Sequence, residues 1–115
     1  MSVYTWGLGK NGQLGTGKAE TSHTPQLLTK AFAEHPLHLV HQISCGALFT
    51  AIVTKNGNLY TCGCGKFGRL GLESKEEDTL MFTAVNLAGK LGKVNQVSCG
   101  SWHASAVTES GQIFI

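Results

Sequence analysis

Prolines are almost missing from this 115-residue chain, with only two, and charge is sparse at 14% of residues. The nine Lys and Arg are scattered, so the concentrated basic surface that grips a phosphate backbone is absent and no direct nucleic acid ligand is expected. No apolar run approaches the roughly 20 residues that cross a bilayer as a helix, and Met1-Ser2-Val3-Tyr4 lacks a basic stretch followed by an apolar one. No membrane association follows from such a chain, and we read it as intracellular, cytoplasmic or nuclear. What it has in excess is glycine, fifteen residues of it. Val, Ile, Thr, Tyr and Phe cluster in short runs between those glycines, which favours many short strands joined by tight turns.

The runs repeat. Val3 to Gly17 (VYTWGLGKNGQLGTG) and Leu59 to Glu73 (LYTCGCGKFGRLGLE) match at more than half of their positions at an offset of 56 residues. Ile43 to Thr61 and Val97 to Ile115 match at an offset of 54. Two copies of one unit are present, divided as residues 1–58 and 59–115, and the last residues correspond to the opening strand of a third. Within a unit, Leu39 to Cys45, Leu48 to Thr54 and Asn58 to Cys62 read as strands, with Pro25 to Leu28 and Met81 to Val85 as weaker ones and Lys93 to Cys99 as the later copy of the first. Lys55-Asn56-Gly57 supplies the Asn-Gly pair suited to the positive φ angles of a hairpin turn, repeated at Ser110-Gly111. Lys30 to Glu34 reads as one helical turn in a connector. The fold class is all-β: four short antiparallel strands in about 55 residues, repeated, describe the blades of a β-propeller.

Several motifs suggest chemistry and fail on their surroundings. Gly7-x-Gly9-x-x-Gly12 has the spacing of a dinucleotide-binding turn, yet Gly15 and Gly17 stand where the required helix would begin. The near P-loop Gly12 to Lys18 is followed by Ala19 rather than a magnesium-binding hydroxyl. The four cysteines read as small buried thiols, with Cys62 and Cys64 on one side of their strand. His35, His38 and His41 are spaced for neither a helix face nor a strand face, and read as an exposed connector. Glu73 to Asp78 reads as a solvated acidic loop. No metal, no cofactor and no catalytic group is expected.

The recurring Tyr4-Thr5-Trp6-Gly7…Gly12-Gln13-Leu14-Gly15, linked to Cys45-Gly46-Ala47-Leu48-Phe49-Thr50 and again to Cys99-Gly100-Ser101-Trp102-His103-Ala104, resembles the regulator of chromosome condensation repeat. The resemblance implies a seven-bladed propeller, to which this chain contributes about two repeats; the remaining blades come from a longer parent chain or from other copies. It also implies a protein partner. In the family's founding exchange factor the face that carries the His103 position engages the small GTPase Ran, so guanine nucleotide exchange on a Ran-like GTPase is the alternative to a non-catalytic interaction module. Lys10 and Lys66 stand where that exchange factor has an acidic residue, which argues against exchange. Candidate partner contacts are Lys10, Asn11, Lys66, Phe67, Trp102 and His103. For Phe67 and Trp102 the alternative is packing between blades, and for His103 an imidazole that bridges backbone groups of adjacent blades.

Overall fold

The computed structural model describes residues 2–28, 40–73 and 76–115. The expected helical turn at Lys30 to Glu34, together with His35 and His38, lies outside them. Among the described residues nine strands follow in chain order: β1 (Tyr4–Gly7), β2 (Ser22–Leu27), β3 (Val40–Gly46), β4 (Phe49–Thr54), β5 (Leu59–Gly63), β6 (Thr79–Ala84), β7 (Val94–Cys99), β8 (Ala104–Thr108) and β9 (Ile113–Phe114). All pair antiparallel with their chain neighbours in three sheets, β1-β2, β3-β4-β5-β6 and β7-β8-β9. Among the described residues only the middle sheet has four strands. The first carries the counterparts of β5 and β6, and the third those of β3, β4 and β5.

The three sheets stack side by side, and the middle one is covered on both faces. Every residue of β4 (FTAIVT) and β5 (LYTCG) is buried as a result. One face meets the first sheet through Val3, Leu28, Val40, Ile52, Tyr60, Cys62 and Phe82. The other meets the third through Ala51, Val53, Leu59, Val94, Val97 and Ala106. Ile52 and Val53, adjacent in sequence, therefore serve opposite seams, as side chains alternate across a strand. Burying either stabilises the stack by about 1.5–3 kcal/mol. β-branched residues dominate β4 because they pack well on a pleated surface that is covered on both sides.

Equivalent details recur in each unit. β3 and β7 both carry a bulge, between Val40 and Gln42 and between Val94 and Gln96. Thr5 Oγ1 donates to the Leu14 carbonyl at 2.7 Å and Thr61 Oγ1 to the Leu70 carbonyl at 2.7 Å, tying each exit turn to its strand.

The hairpin after β4 turns at Lys55-Asn56-Gly57 as expected, but Asn56 does not take the positive φ suggested for the Asn-Gly pair. Gly57 alone has positive φ (83°), while its amide closes a turn on the Thr54 carbonyl at 3.0 Å and Thr54 N–H returns to Asn58 O at 2.9 Å. This is a three-residue loop ending in a left-handed glycine. β4 also starts at Phe49 rather than Leu48, because Leu48 adopts a left-handed φ of 63° that ends the preceding turn. Cys62 and Cys64 are buried as expected, but Cys45 is exposed and Cys99 only half-buried. Both lie near the end of an inner strand, at the rim of a sheet. His41 is exposed near the start of β3.

Candidate partner-binding surface

The turn from β7 to β8, Gly100-Ser101-Trp102-His103, is closed by the Gly100 amide donating to the His103 carbonyl at 2.8 Å. The His103 ring folds back over that glycine: a Cβ there would lie 2.7 Å from His103 Cε1. Gly46 and Phe49 form the same arrangement one unit earlier, with the ring buried. His103 is exposed, and its imidazole makes no hydrogen bond with a described residue.

The exit turn after β5 is a short 3₁₀ turn, Lys66–Gly68, in which Phe67 takes a left-handed φ of 62°. Phe67 is 69% exposed and Trp102 65% exposed, and their ring centroids lie 5.8 Å apart at a tilt of 42°. Neither is packed between blades. The two rings meet across the seam between the second and third sheets, an arrangement worth about 0.5–1.5 kcal/mol. Arg69 props this pair from below, with its Cζ 5.9 Å from the Phe67 centroid. Its guanidinium is fixed because Nε donates to the Lys66 carbonyl at 3.0 Å and Nη1 to the Ala47 carbonyl at 2.8 Å. Beneath the rings a cleft of about 460 Å³ opens, lined by Phe67, Arg69, Leu70, Trp102, His103 and Phe114 among others.

The acidic loop is not merely solvated. Glu76 accepts the Phe67 amide at 3.0 Å, and Asp78 accepts the Gly65 amide at 3.2 Å and the Asn11 side-chain amide at 2.9 Å. Asn11 is thus committed to a bond between the first and second sheets, whereas Lys10 and Lys66 remain exposed beside it. Through Asp78 the six candidates fall along one rim, from Lys10 and Asn11 by way of Gly65 to Lys66 and Phe67, then across the ring contact to Trp102 and His103. Arg69, Glu76 and Asp78 organise that rim and carried no motif that marked them in sequence.

The glycines that suggested a nucleotide turn are occupied by protein. A Cβ at Gly12 would lie 2.7 Å from Leu80 Cα, and one at Gly65 would run into the Glu77 carbonyl. Among the described residues no helix follows either turn. Among the described residues no three His, Cys, Asp or Glu side chains stand together to hold a metal, and no helix is long and apolar enough to cross a membrane. Burial pushes the Cys62 thiol far above its usual range, with nearby Cys45 adding to the effect, so it is a packing group rather than a nucleophile.

With the rim and its repeating turns in view, the sequence matches the Regulator of chromosome condensation (RCC1) repeat over residues 2–53 and 56–107. The chain belongs to this family. A second description of the RCC1 repeat matches residues 40–69. The chain is 40% identical over 116 residues to the human E3 ubiquitin-protein ligase HERC2, covering 97% of this chain and 2% of the ligase. It is 35% identical over 114 residues to the bovine secretion-regulating guanine nucleotide exchange factor, covering 98% of this chain and 23% of that protein. The crystal structure of human WBSCR16 superposes with a TM-score of 0.84 at 23% identity, covering 98% of this chain and 27% of that one. The chain therefore spans at most about a quarter of these proteins, and its three sheets are blades of an RCC1-type β-propeller.

Proposed function

We propose that this RCC1-repeat segment is a non-catalytic interaction module whose rim, centred on Phe67 and Trp102, contacts a protein partner. One observation carries the reading: two large aromatic rings are held together in solvent across a blade seam, one of them on a backbone that disfavours it. A left-handed φ costs a bulky residue on the order of 1 kcal/mol, and exposing the ring forfeits its burial. Retaining Phe67 there makes sense where the ring is used, and exposed Trp beside charge is the composition of an interface hot spot. Lys66, exposed on the same turn, gives the rim a basic flank, and the buried Arg69 underlies it. The contacts of the whole propeller also include blades beyond these three.

The test uses the full-length protein. Phe67→Asn, which installs the residue of the first repeat, combined with Trp102→Ala, is compared with wild type for recovery of a stable protein partner. Loss of about 30-fold or more in affinity with unchanged thermal stability is expected. Undiminished binding by this variant refutes the rim.

Guanine nucleotide exchange on a Ran-like GTPase is the second reading, favoured by the similarity to the bovine secretion-regulating exchange factor. Exchange needs no nucleophile or metal, only stronger binding to the nucleotide-free GTPase. Lys10 and Lys66 argue against it, since reversing charge on a docking surface costs several kcal/mol. Accelerated release of a fluorescent guanine nucleotide from Ran would favour exchange over the module.

A further inference from the structure

The two exit turns hold themselves together with different residues. Gln13 and Arg69 occupy one position of the repeat, 56 residues apart. In the first turn Gln13 Oε1 accepts the Asn11 N–H at 2.9 Å, so a neutral amide caps the turn. In the second the corresponding N–H, that of Phe67, is taken at 3.0 Å by Glu76 Oε1 from the following loop. Arg69 is thereby released from its counterpart's task, yet it is only 6% exposed. Its two acceptors, the Lys66 and Ala47 carbonyls, are neutral, and among the described residues it forms no ion pair. Glu76 and Asp78 are spent on the Phe67 and Gly65 amides, and no Asp or Glu lines the cleft, whose ionisable residues are Arg69 and His103. Nη2 makes no hydrogen bond with a described residue, and no buried side-chain nitrogen among them lacks a partner, so Nη2 is the part of the group that meets solvent. A guanidinium taken out of water without an anion is costly, and a carboxylate supplied from outside offsets that cost.

The position is fixed from within the chain. Phe67, Arg69 and the Ala47 carbonyl belong to turns of the middle sheet, whose two faces are both covered. Trp102 and His103 belong to the β7–β8 turn across the seam. A clasp between β3 and β7 holds that turn in place: Gln42 Oε1 accepts the Val97 N–H at 2.8 Å, and Ser44 Oγ accepts the Cys99 N–H at 3.1 Å. The first seam shows how a following sheet bonds to the Arg69 position. There Thr50 Oγ1 and the Cys62 thiol both approach the Gln13 carbonyl, at 2.7 and 3.7 Å, while the Gln13 side chain keeps to its own turn. A following sheet thus bonds to the backbone of the exit turn and leaves its side chain to the rim.

We propose that Arg69 and His103 together receive one side-chain carboxylate of the protein partner, an Asp or Glu flanked by apolar residues. The proposal rests on the reading of the rim as a protein-binding surface. Arg69 offers Nη2 and His103 an imidazole N–H, and the apolar flank lies on the Phe67 and Trp102 rings that line the same cleft. Charge complementarity selects the occupant: a cleft with a guanidinium, an imidazole and no carboxylate attracts an anion and repels a basic segment. Its largely apolar wall favours a singly charged carboxylate over a phosphate, which brings more charge to desolvate.

The experiment is fluorescence anisotropy on the full-length protein, with a labelled, C-terminally amidated peptide that carries one Glu between two Leu residues. Three companion peptides replace that Glu with Gln, replace it with phosphoserine, or carry the Gln and end in a free carboxylate. Wild type should bind the Glu peptide about tenfold or more tightly than the Gln peptide, and more tightly than the other two. Arg69→Gln, which installs the residue of the first unit, should erase that preference and leave the affinity for the Gln peptide unchanged. Phe67→Asn with Trp102→Ala should weaken the Glu and Gln peptides alike; if it weakens neither, the rim reading falls, and with it the seat of the apolar flank. Wild type that binds all four peptides alike, binds none, or prefers phosphoserine or the free terminus would overturn the carboxylate site, as would Arg69→Gln that keeps the preference. Should Arg69→Gln lose its circular dichroism spectrum, His103→Ala at an exposed position decides instead: the preference should fall about threefold or more, and an unchanged preference overturns the site.

Discussion

The two seams differ at one buried hydroxyl, which gives a matched pair of substitutions. Thr50 Oγ1 donates to the Gln13 carbonyl at 2.7 Å, joining the first sheet's exit turn to the second sheet in a buried setting. The Cys62 thiol, a weak donor, also approaches that carbonyl at 3.7 Å. At the next seam the same register position is Ala104, opposite Cys99 as Thr50 is opposite Cys45. Thr50→Val removes the donor while keeping the shape. It loses a net hydrogen bond of about 1 kcal/mol and leaves a buried carbonyl underserved at a cost of a further 1 kcal/mol or more. A newly buried methyl offsets roughly 0.8 kcal/mol, so about 1 to 1.5 kcal/mol of destabilisation remains. For a domain of this size that lowers Tm by roughly 5 °C. The converse, Ala104→Thr, should direct a hydroxyl at the Arg69 carbonyl and raise Tm by a few degrees. Differential scanning calorimetry reads both. An unchanged Tm in Thr50→Val, or a lower one in Ala104→Thr, would refute the view that this hydroxyl distinguishes the seams.

Further predictions follow from the turns and thiols. Gly65→Ala should destabilise by more than about 2 kcal/mol in a urea titration, because its Cβ would run into the Glu77 carbonyl, whereas Gly111→Ala, with open space around it, carries only the strain of its φ of 84°. Asp78→Ala should cost about 1–2 kcal/mol by the same titration, since both the Gly65 amide and the Asn11 side chain lose their acceptor. Burial raises the Cys62 and Cys99 thiols above the ordinary value of 9.0, for Cys99 against the opposing bond from Ser44. The unfolded chain then releases protons that the folded chain keeps, so stability is full below about pH 9 and falls as pH rises beyond it, by up to about 1.4 kcal/mol per pH unit for each group. Stability independent of pH between 8 and 10 would contradict this. Exposed Cys45 should react first with a thiol reagent at neutral pH and Cys62 last, as resolved by mass spectrometry.

Strands, repeat boundaries and the exclusion of a nucleotide turn were legible in the sequence because each is a local matter of residue type and spacing, seen twice. Two copies of Gly-x-Gly-x-x-Gly without a following helix suffice to identify a structural turn. The rim was only half legible. Phe67 and Trp102 could be named as aromatic turn residues, but their contact depends on how adjacent sheets are stacked, which no spacing encodes. The packing of the His103 ring on Gly100 was not legible, because it is set by the tightness of one turn. Asp78 sits in a charged run that reads as solvated, and nothing in the run itself reveals that a backbone amide thirteen residues earlier needs an acceptor. The Gln42 and Ser44 clasp was equally hidden, since polar residues on an exposed strand normally face water.

That clasp has a consequence for how the repeat tolerates change. The link between sheets is written in side chains at fixed strand positions rather than in the connecting peptide, so the peptide's length is free of the joint. The two offsets in this sequence, 56 and 54, are an instance: two residues come and go between motifs while Gln42 and Gln96 keep the same pairing partners. Loops grafted between the second and third sheets, for example after Leu87, should leave the stack intact, which makes the connectors the natural place to add new binding segments without redesigning a blade.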